Sequence, residues 1–315
     1  MFIARRSLPV LFIMAVLLTA AKPLSMQKTD PFTPPCVTAT DPVKAHNATA
    51  HSATTDPVIG APTISPAPAD PANDPATAIP TTADNEVLVA AAADLRFAMD
   101  TLVALFSHDN PGITIKVTYG SSGNFFEQIK NGAPFDLFFS ADVDYPRQLK
   151  EQQLALSEVH VYGTGQLVLW SKTLDPTVQQ MNTLLDPAVT KIAIANPAHA
   201  PYGKRAEETL QYYKLYDKVK DHLVIGENIA QTAQYAQTGA AQVGIIALSL
   251  ALSPTMQQAG GKYWLIPAAA HQPLLQGFVL LPHAKGNPGA EKFAGFCGSA
   301  IARTTLHRYG FGEPQ

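Results

Sequence analysis

The sequence predicts an α/β protein of two lobes, each built on a mostly parallel sheet flanked by helices. Short apolar runs, typical of parallel strands covered on both faces, alternate with segments of helical periodicity. The alternation extends from Glu86 to the C-terminus, about 230 of the 315 residues. It contains about ten short strands, and so many strands in a chain of this length favour two sheets over one.

The first elements show the pattern most clearly. Residues 87–93 form a continuous apolar run, which predicts a buried strand. Asp94 follows as a candidate N-cap, and apolar residues then recur at helical spacing as far as Phe106. After a turn at 110–112, apolar and polar residues alternate over 113–119, which predicts a second strand.

The same alternation continues to the end of the chain. Further strands are predicted at 136–140, 166–170, 191–195, 242–248, 263–267 and 277–282. Helices are predicted from Phe125 to a stop at 131–132, at 204–213 after a Pro-containing loop at 196–203, from an Asn228 cap to Gln237, at 290–302 and at 304–309.

The N-terminal region differs from the rest of the chain. Arg5 and Arg6 precede a short apolar run and small residues, which predicts a signal peptide over 1–21 and a periplasmic protein. A retained membrane anchor is the alternative, but the apolar run is shorter than a spanning helix requires. Residues 22–85 are rich in Pro, Ala and Thr, and we predict a disordered spacer there.

The composition of the chain argues against some classes of function. The formal net charge is −3 and no basic stripe is present, so we expect no nucleic-acid partner. The two cysteines, Cys36 and Cys297, show no metal-site spacing, and either a disulfide or two separate thiols would fit the sequence. We predict no cofactor.

The segment "YGSSGN", residues 119–124, joins a predicted strand to a predicted helix. The first N–H groups of a helix have no partner within it and carry partial positive charge. Glycines allow close approach of a ligand, and serine hydroxyls add donors, so this turn could cradle an anion. An ordinary serine-capped turn is the alternative. Similar junctions at Asp94, 201–203 and 228–229 suggest that several helix N-termini converge on one cleft.

Several stretches in order carry a resemblance to a known family. The segments "VTYGSSGNFFEQIKNGAPFDLFFSAD", "IANPAHAPYGKRAEETL", "AAQVGIIALS" and "HRYGF" resemble the periplasmic molybdate-binding proteins of ABC importers. The resemblance extends from Glu86 to Gly312 and implies the two-lobed type II architecture of periplasmic binding proteins. It also implies a monomer that captures molybdate or tungstate and delivers it to an inner-membrane ABC permease.

The resemblance further implies lobe limits and site residues. One lobe comprises 86–165 and 268–315, and the other 166–267. An oxyanion would be held between them by neutral donors: the Ser122 hydroxyl and N–H, the Tyr202 O–H or N–H, and the Ile229 N–H. Ala93 and Asp94 complete the set of ligand-binding residues, and no side chain coordinates the metal directly.

Two positions depart from the family pattern. Ala247 stands where many relatives carry a tyrosine, and we expect Tyr202 to supply that phenol. Asp94 stands where relatives often place Ser or Asn, and at 4 Å each pair of like unit charges costs about 4 kcal/mol. We expect an ionised Asp94 that caps its own helix and turns away from the ligand. The alternative is a protonated Asp94 that donates to the ligand.

Other functions compete with molybdate capture. Another oxyanion or a small organic anion would suit the same neutral donors. A hydrolase could use Ser121 or Ser122 as nucleophile, although "GSSG" differs from the usual nucleophile elbow. His199 lies in the loop before Tyr202 and is a further candidate to reach the cleft. A binding or signalling module tethered to a membrane by the spacer is a third possibility.

Overall fold

The computed structural model describes residues 85–314. The predicted signal peptide, residues 22–84 of the predicted spacer and Cys36 lie outside the described residues. The strands are β1 (Glu86–Ala92), β2 (Thr114–Gly120), β3 (Leu137–Ser140), β4 (His160–Gly165), β5 (Leu167–Ser171), β6 (Ile192–Ala195), β7 (Leu223–Gly226), β8 (Val243–Ala247), β9 (Lys262–Leu265) and β10 (Leu274–Leu280).

Helices connect these strands. The longer ones are α1 (Arg96–Asp109), α2 (Ser122–Lys130), α3 (Asp144–Glu151), α5 (Pro201–Tyr212), α7 (Ile229–Thr238), α10 (Pro288–Cys297) and α11 (Ala300–Arg308). Short helices are α4 (Pro176–Gln179), α6 (Tyr216–Val219), α8 (Leu248–Ala251) and α9 (Pro254–Gln258). Short 3₁₀ segments occur at Ala93–Leu95, Gln180–Leu185, Lys220–His222, Ala268–Ala270 and Pro282–Ala284. In the described part of the chain, none of the helices has both the length and the apolar character to span a membrane.

The strands form two sheets of matching design. The first has the order β2-β1-β3-β10-β4, and the second has the order β7-β6-β8-β5-β9. In the first, β1 is parallel to both neighbours and β10 is antiparallel to both of its own. In the second, β6 and β5 have the corresponding roles. The predicted fold class, two lobes with mostly parallel sheets flanked by helices, is confirmed.

Burial explains why the sequence forms these strands. All five residues of β8 are buried, as expected for a continuous apolar run at the centre of a sheet. In β2, an edge strand, exposed and half-buried residues alternate along Thr114–Tyr119. Helix α1 buries Ala98, Met99 and Phe106 on one face, and these side chains pack in the same apolar cluster as β1.

Several predicted boundaries were wrong. Helix α5 begins at Pro201 and not at Lys204, because proline suits the first helical position and its missing N–H would have no partner there. The predicted helix 290–302 is two helices, since Ser299 caps α11 through the Ala302 N–H. Asp94 lies inside the 3₁₀ turn and caps neither that turn nor α1.

The chain passes between the two sheets twice. It leaves the first sheet after β4, which ends at Gly165, and enters the second at Leu167. It returns between Leu265, the end of β9, and Leu274, the start of β10. The first crossing is a single residue, Gln166, and the second comprises residues 266–273.

Candidate functional site

A small cavity lies between residues of the two lobes. All the ligand-binding residues that the sequence predicted line this cavity. Its volume is about 10 Å³, the space of about one water molecule. Its walls are formed by Ala92, Ala93, Asp94, Gly120, Ser121, Ser122, Ala141, Ala200, Pro201, Tyr202 and Ile229. The roles of these residues toward a ligand stay predictions, because their positions alone do not establish binding.

Three helices begin at this cavity. Helix α2 begins at Ser122, α5 at Pro201 and α7 at Ile229. Since proline lacks an N–H, the first donor of α5 is the Tyr202 N–H. The Asn228 side chain caps α7 by accepting from the N–H groups of the second and third helical residues, and not from Ile229. Three helix N-termini therefore direct partial positive charge at one point without any cationic side chain.

The two serines of the turn have different partners. Ser122 is fully buried, and its Oγ accepts a hydrogen bond from the Ala141 N–H at 3.0 Å, which leaves its own hydroxyl hydrogen free to donate. Ser121 Oγ lies 2.7 Å from His199 Nδ1. Of the two hydroxyls, that of Ser122 is therefore better placed to donate into the cavity.

The second glycine of the turn allows a backbone contact between the lobes. The Gly123 N–H donates to the His199 carbonyl at 2.9 Å. A Cβ at Gly123 would lie 2.7 Å from the same carbonyl oxygen, so only glycine permits this approach. This contact, with the Ser121–His199 pair, fixes α2 beside the loop that leads into α5.

Asp94 belongs to a buried polar cluster that the sequence analysis missed. Its Oδ2 accepts from Gln276 Nε2 at 2.8 Å, and the same amide nitrogen lies 3.2 Å from the Tyr202 hydroxyl. The Tyr162 hydroxyl donates to Gln276 Oε1 at 2.7 Å. The backbone carbonyl of Asp94 accepts from the Ser249 hydroxyl at 2.8 Å. Asp94 thus bonds to both lobes, and its carboxylate does not form the predicted cap.

Burial governs the ionisation of this cluster. It raises the pKa of Asp94 to about 6, although the hydrogen bonds from Gln276 and Tyr202 partly offset the effect. Burial and the nearby Asp94 raise the pKa values of Tyr162 and Tyr202 well above their ordinary range. Both phenols therefore stay neutral, and Asp94 is the one group of the cluster that titrates near neutral pH.

Tyr202 uses its two donors in different directions. Its hydroxyl lies in the Asp94–Gln276 cluster, whereas its N–H is at the start of α5 on the cavity wall. The N–H is therefore the donor that it can offer to a ligand without breaking the cluster. Ala247, the position of the absent tyrosine, is buried at the end of β8.

A second, larger cavity of about 550 Å³ lies beside the first and shares Ala93 with it. Its lining includes the exposed Arg96 and the amide side chains of Gln231 and Gln234. A cavity of this size suits an organic ligand better than a four-oxygen ion, which needs donors on all sides. The small cavity is therefore the better candidate for an oxyanion.

Comparison with known proteins identifies the family of this chain. Residues 87–312 match the family model described as bacterial extracellular solute-binding protein. The chain belongs to this family. It is 34% identical over 231 residues to the molybdate-binding protein ModA of Rhodobacter capsulatus, covering 73% of this chain and 89% of that protein. It is 35% identical over 228 residues to ModA of Azotobacter vinelandii, covering 72% of this chain and 90% of that protein.

A solved structure extends the comparison to the fold. The periplasmic molybdate-binding protein of Azotobacter vinelandii superimposes with a TM-score of 0.68 at 30% identity, covering 73% of this chain and all of that one. The resemblance to molybdate-binding proteins predicted from the sequence is confirmed. Each of these relatives bears the name molybdate-binding protein.

Polar side chains of the two lobes also meet at the rim of the small cavity. Asn124 Nδ2 donates to Glu227 Oε1 at 2.8 Å, and His199 Nε2 lies 3.7 Å from the same oxygen. His199 does not line the small cavity. Ser121, His199 and Glu227 thus form a polar contact between the lobes at its edge.

Proposed function

We propose that this protein captures molybdate outside the cytoplasm and delivers it to an ABC permease of the inner membrane. The observation that supports this most is the convergence of three helix N-termini, with the Ser122 hydroxyl, on one small cavity. Relatives that bear the name molybdate-binding protein share about a third of the sequence. Tungstate, similar in size and charge, is an equally suitable ligand for such donors.

We assign the donors as follows. Ser122 donates its hydroxyl and N–H, and Tyr202 and Ile229 donate their N–H groups from α5 and α7. Ala93 and Asp94 complete the wall on the side of β1. All these groups bind oxygen atoms of the ion, so none coordinates the molybdenum itself.

We also propose that the lobes comprise 86–165 with 268–315, and 166–267, and that they hinge where the chain crosses between the sheets. The cavity has room for about one water molecule, so a four-oxygen anion can enter and be held only if the lobes move apart from the arrangement seen here. A monomer with a cleaved leader fits this function.

We propose no catalysis. The Ser121 hydroxyl that a hydrolase would need as nucleophile is buried against His199 and contributes to contact between the lobes. Glu227 Oε1 lies 3.7 Å from Nε2 of the His199 ring, beyond the distance of a normal hydrogen bond.

Thermal unfolding with a panel of oxyanions tests the proposal. Molybdate and tungstate should raise the melting temperature, with a gain in unfolding free energy of about 2.7 kcal/mol at a hundredfold excess over Kd. Sulfate and phosphate should have smaller effects at the same concentration. Ser122→Ala should weaken molybdate binding, while Ser107→Ala, near the end of α1, should not. The absence of a shift with any oxyanion at millimolar concentration would refute the proposal.

A further inference from the structure

The wall of the proposed anion cavity contains a buried carboxyl group with an unused oxygen. Asp94 is 1% exposed and lines the cavity. Its Oδ2 accepts from Gln276, whereas its Oδ1 is buried without a hydrogen bond of normal geometry among the described residues, although the Tyr202 hydroxyl and the N–H groups of Asp94 and Leu95 lie close enough to lower the pKa of the carboxyl. A buried polar atom without a partner is costly, so its persistence beside a binding cavity points to a partner supplied by the ligand.

The groups that face Asp94 are neutral. Gln276 approaches from β10, Tyr202 from α5, and Ser249 from α8, while Tyr162 of β4 contacts Gln276. In residues 85–314, no lysine, arginine or histidine forms an ion pair with the carboxyl. At the rim, the titratable side chains are His199 and Glu227, and His199 contacts both Ser121 and Glu227.

We propose that Asp94 contacts the bound oxyanion as a carboxylic acid, so that capture of each ion takes up one proton from solution. The inference rests on the proposed function and identifies how that site tolerates an acidic residue. An ionised carboxylate has only acceptors to offer and repels a dianion, whereas a protonated Oδ1 donates to an oxygen of the ion. Oδ2 can continue to accept from Gln276 in the same arrangement.

The cluster makes this protonation accessible. Burial, partly offset by hydrogen bonds, brings the pKa of Asp94 to about 6, so at pH 7 the cost of protonating the carboxyl weakens the affinity by only about tenfold. A dianion beside the carboxyl raises the pKa further. Between pH 6 and the pKa of the complex, each pH unit should weaken binding by about tenfold, and below pH 6 the affinity should level off.

Isothermal titration of the full chain with molybdate tests the proton count. At pH 7.5, titrations in two buffers of different ionisation heat should show uptake of about one proton per ion. Binding should be about fiftyfold weaker at pH 8 than at pH 6. In Asp94→Asn the uptake should fall to near zero, and affinity should be nearly constant over this range and exceed that of the wild type at pH 8.

Two controls assign the proton to Asp94. Asp144→Asn removes an exposed carboxylate of α3 and should keep the uptake. His199→Asn removes the histidine at the rim and should also keep it, even if overall affinity falls. If Asp94→Asn does not fold, the wild-type protein can still show whether a carboxyl is protonated on binding. Its infrared difference spectrum should show a protonated-carboxyl band that appears when molybdate binds.

The outcomes separate this inference from the proposed function. Tight molybdate binding without proton uptake, or uptake that persists in Asp94→Asn and disappears in His199→Asn, would overturn the role of Asp94 and leave the capture of molybdate intact. Failure of molybdate and every other oxyanion to bind at any pH would overturn both.

Discussion

Gly203 is the position where one methyl group should most affect both stability and ligand binding. It is the third residue of α5, directly after Tyr202. A Cβ there would lie 2.2 Å from the Ala195 carbonyl oxygen and 2.6 Å from its carbon. These are backbone atoms of β6, inside the second sheet, and they cannot rotate away as a side chain could.

Two opposing effects set the size of the change. Alanine is favoured over glycine in a helix by about 1 kcal/mol, but overpacking against a rigid backbone costs about 1–3 kcal/mol. We expect Gly203→Ala to lower the free energy of unfolding by up to about 2 kcal/mol. For a domain of this size, that lowers Tm by up to about 8 °C. The start of α5 must also shift, so the Tyr202 N–H loses its position and molybdate affinity should fall at least about tenfold.

Gly295 provides a matched control. It is exposed in α10, and a Cβ there would meet no atom within 4 Å. Gly295→Ala should therefore gain helix propensity alone, raise Tm by about 2–4 °C and leave binding unchanged. Thermal melts and titration calorimetry of both variants test the pair. A Gly203→Ala protein as stable as the wild type, with unchanged affinity, would show that α5 does not pack this closely on β6.

Two further predictions concern single side chains at the cavity. Asn228→Ala removes the cap that accepts two N–H groups of α7, so urea unfolding should show a loss of about 1 kcal/mol, and an unchanged midpoint would contradict the cap. Asp94→Asn should stabilise the ligand-free protein at pH 8, because the carboxyl titrates near 3.8 when unfolded and near 6 when folded. Folding thus takes up a proton between pH 4 and 6, and the wild type loses this stabilisation as pH rises through 6. The difference in unfolding free energy should approach about 3 kcal/mol at pH 8 and vanish near pH 4, and equal stability at both pH values would disprove the raised pKa.

Local sequence rules were sufficient where an element depends on its own residues. The apolar run of β8 is buried throughout, as its continuous pattern predicts. Asn228 caps α7 and Gly239 ends it with φ of 79°, because these residue types favour those two backbone positions.

Elements that depend on distant partners were harder to predict. The segment "HVYGTG" of β4 contains two glycines and no clear alternation, and it becomes a strand because it pairs with β10, more than a hundred residues away. The N-terminal part of β10, before Gly277, was missed for the same reason. Pairing across such distances leaves little trace in the composition of either segment alone.

Asp94 shows how a local rule fails at a functional site. An acidic residue after a strand normally indicates a helix cap, but the chain forms a 3₁₀ turn there and the carboxyl instead meets Gln276, 182 residues away. The sequence did contain a second anomaly, since Gln276 lies in the apolar strand "LLQGFVLL". A buried amide and a buried carboxyl each require a partner, so two such anomalies in one chain suggest a mutual contact. That contact satisfies only one carboxylate oxygen, and the residue that carries the other oxygen lines the cavity where we expect the oxyanion to bind.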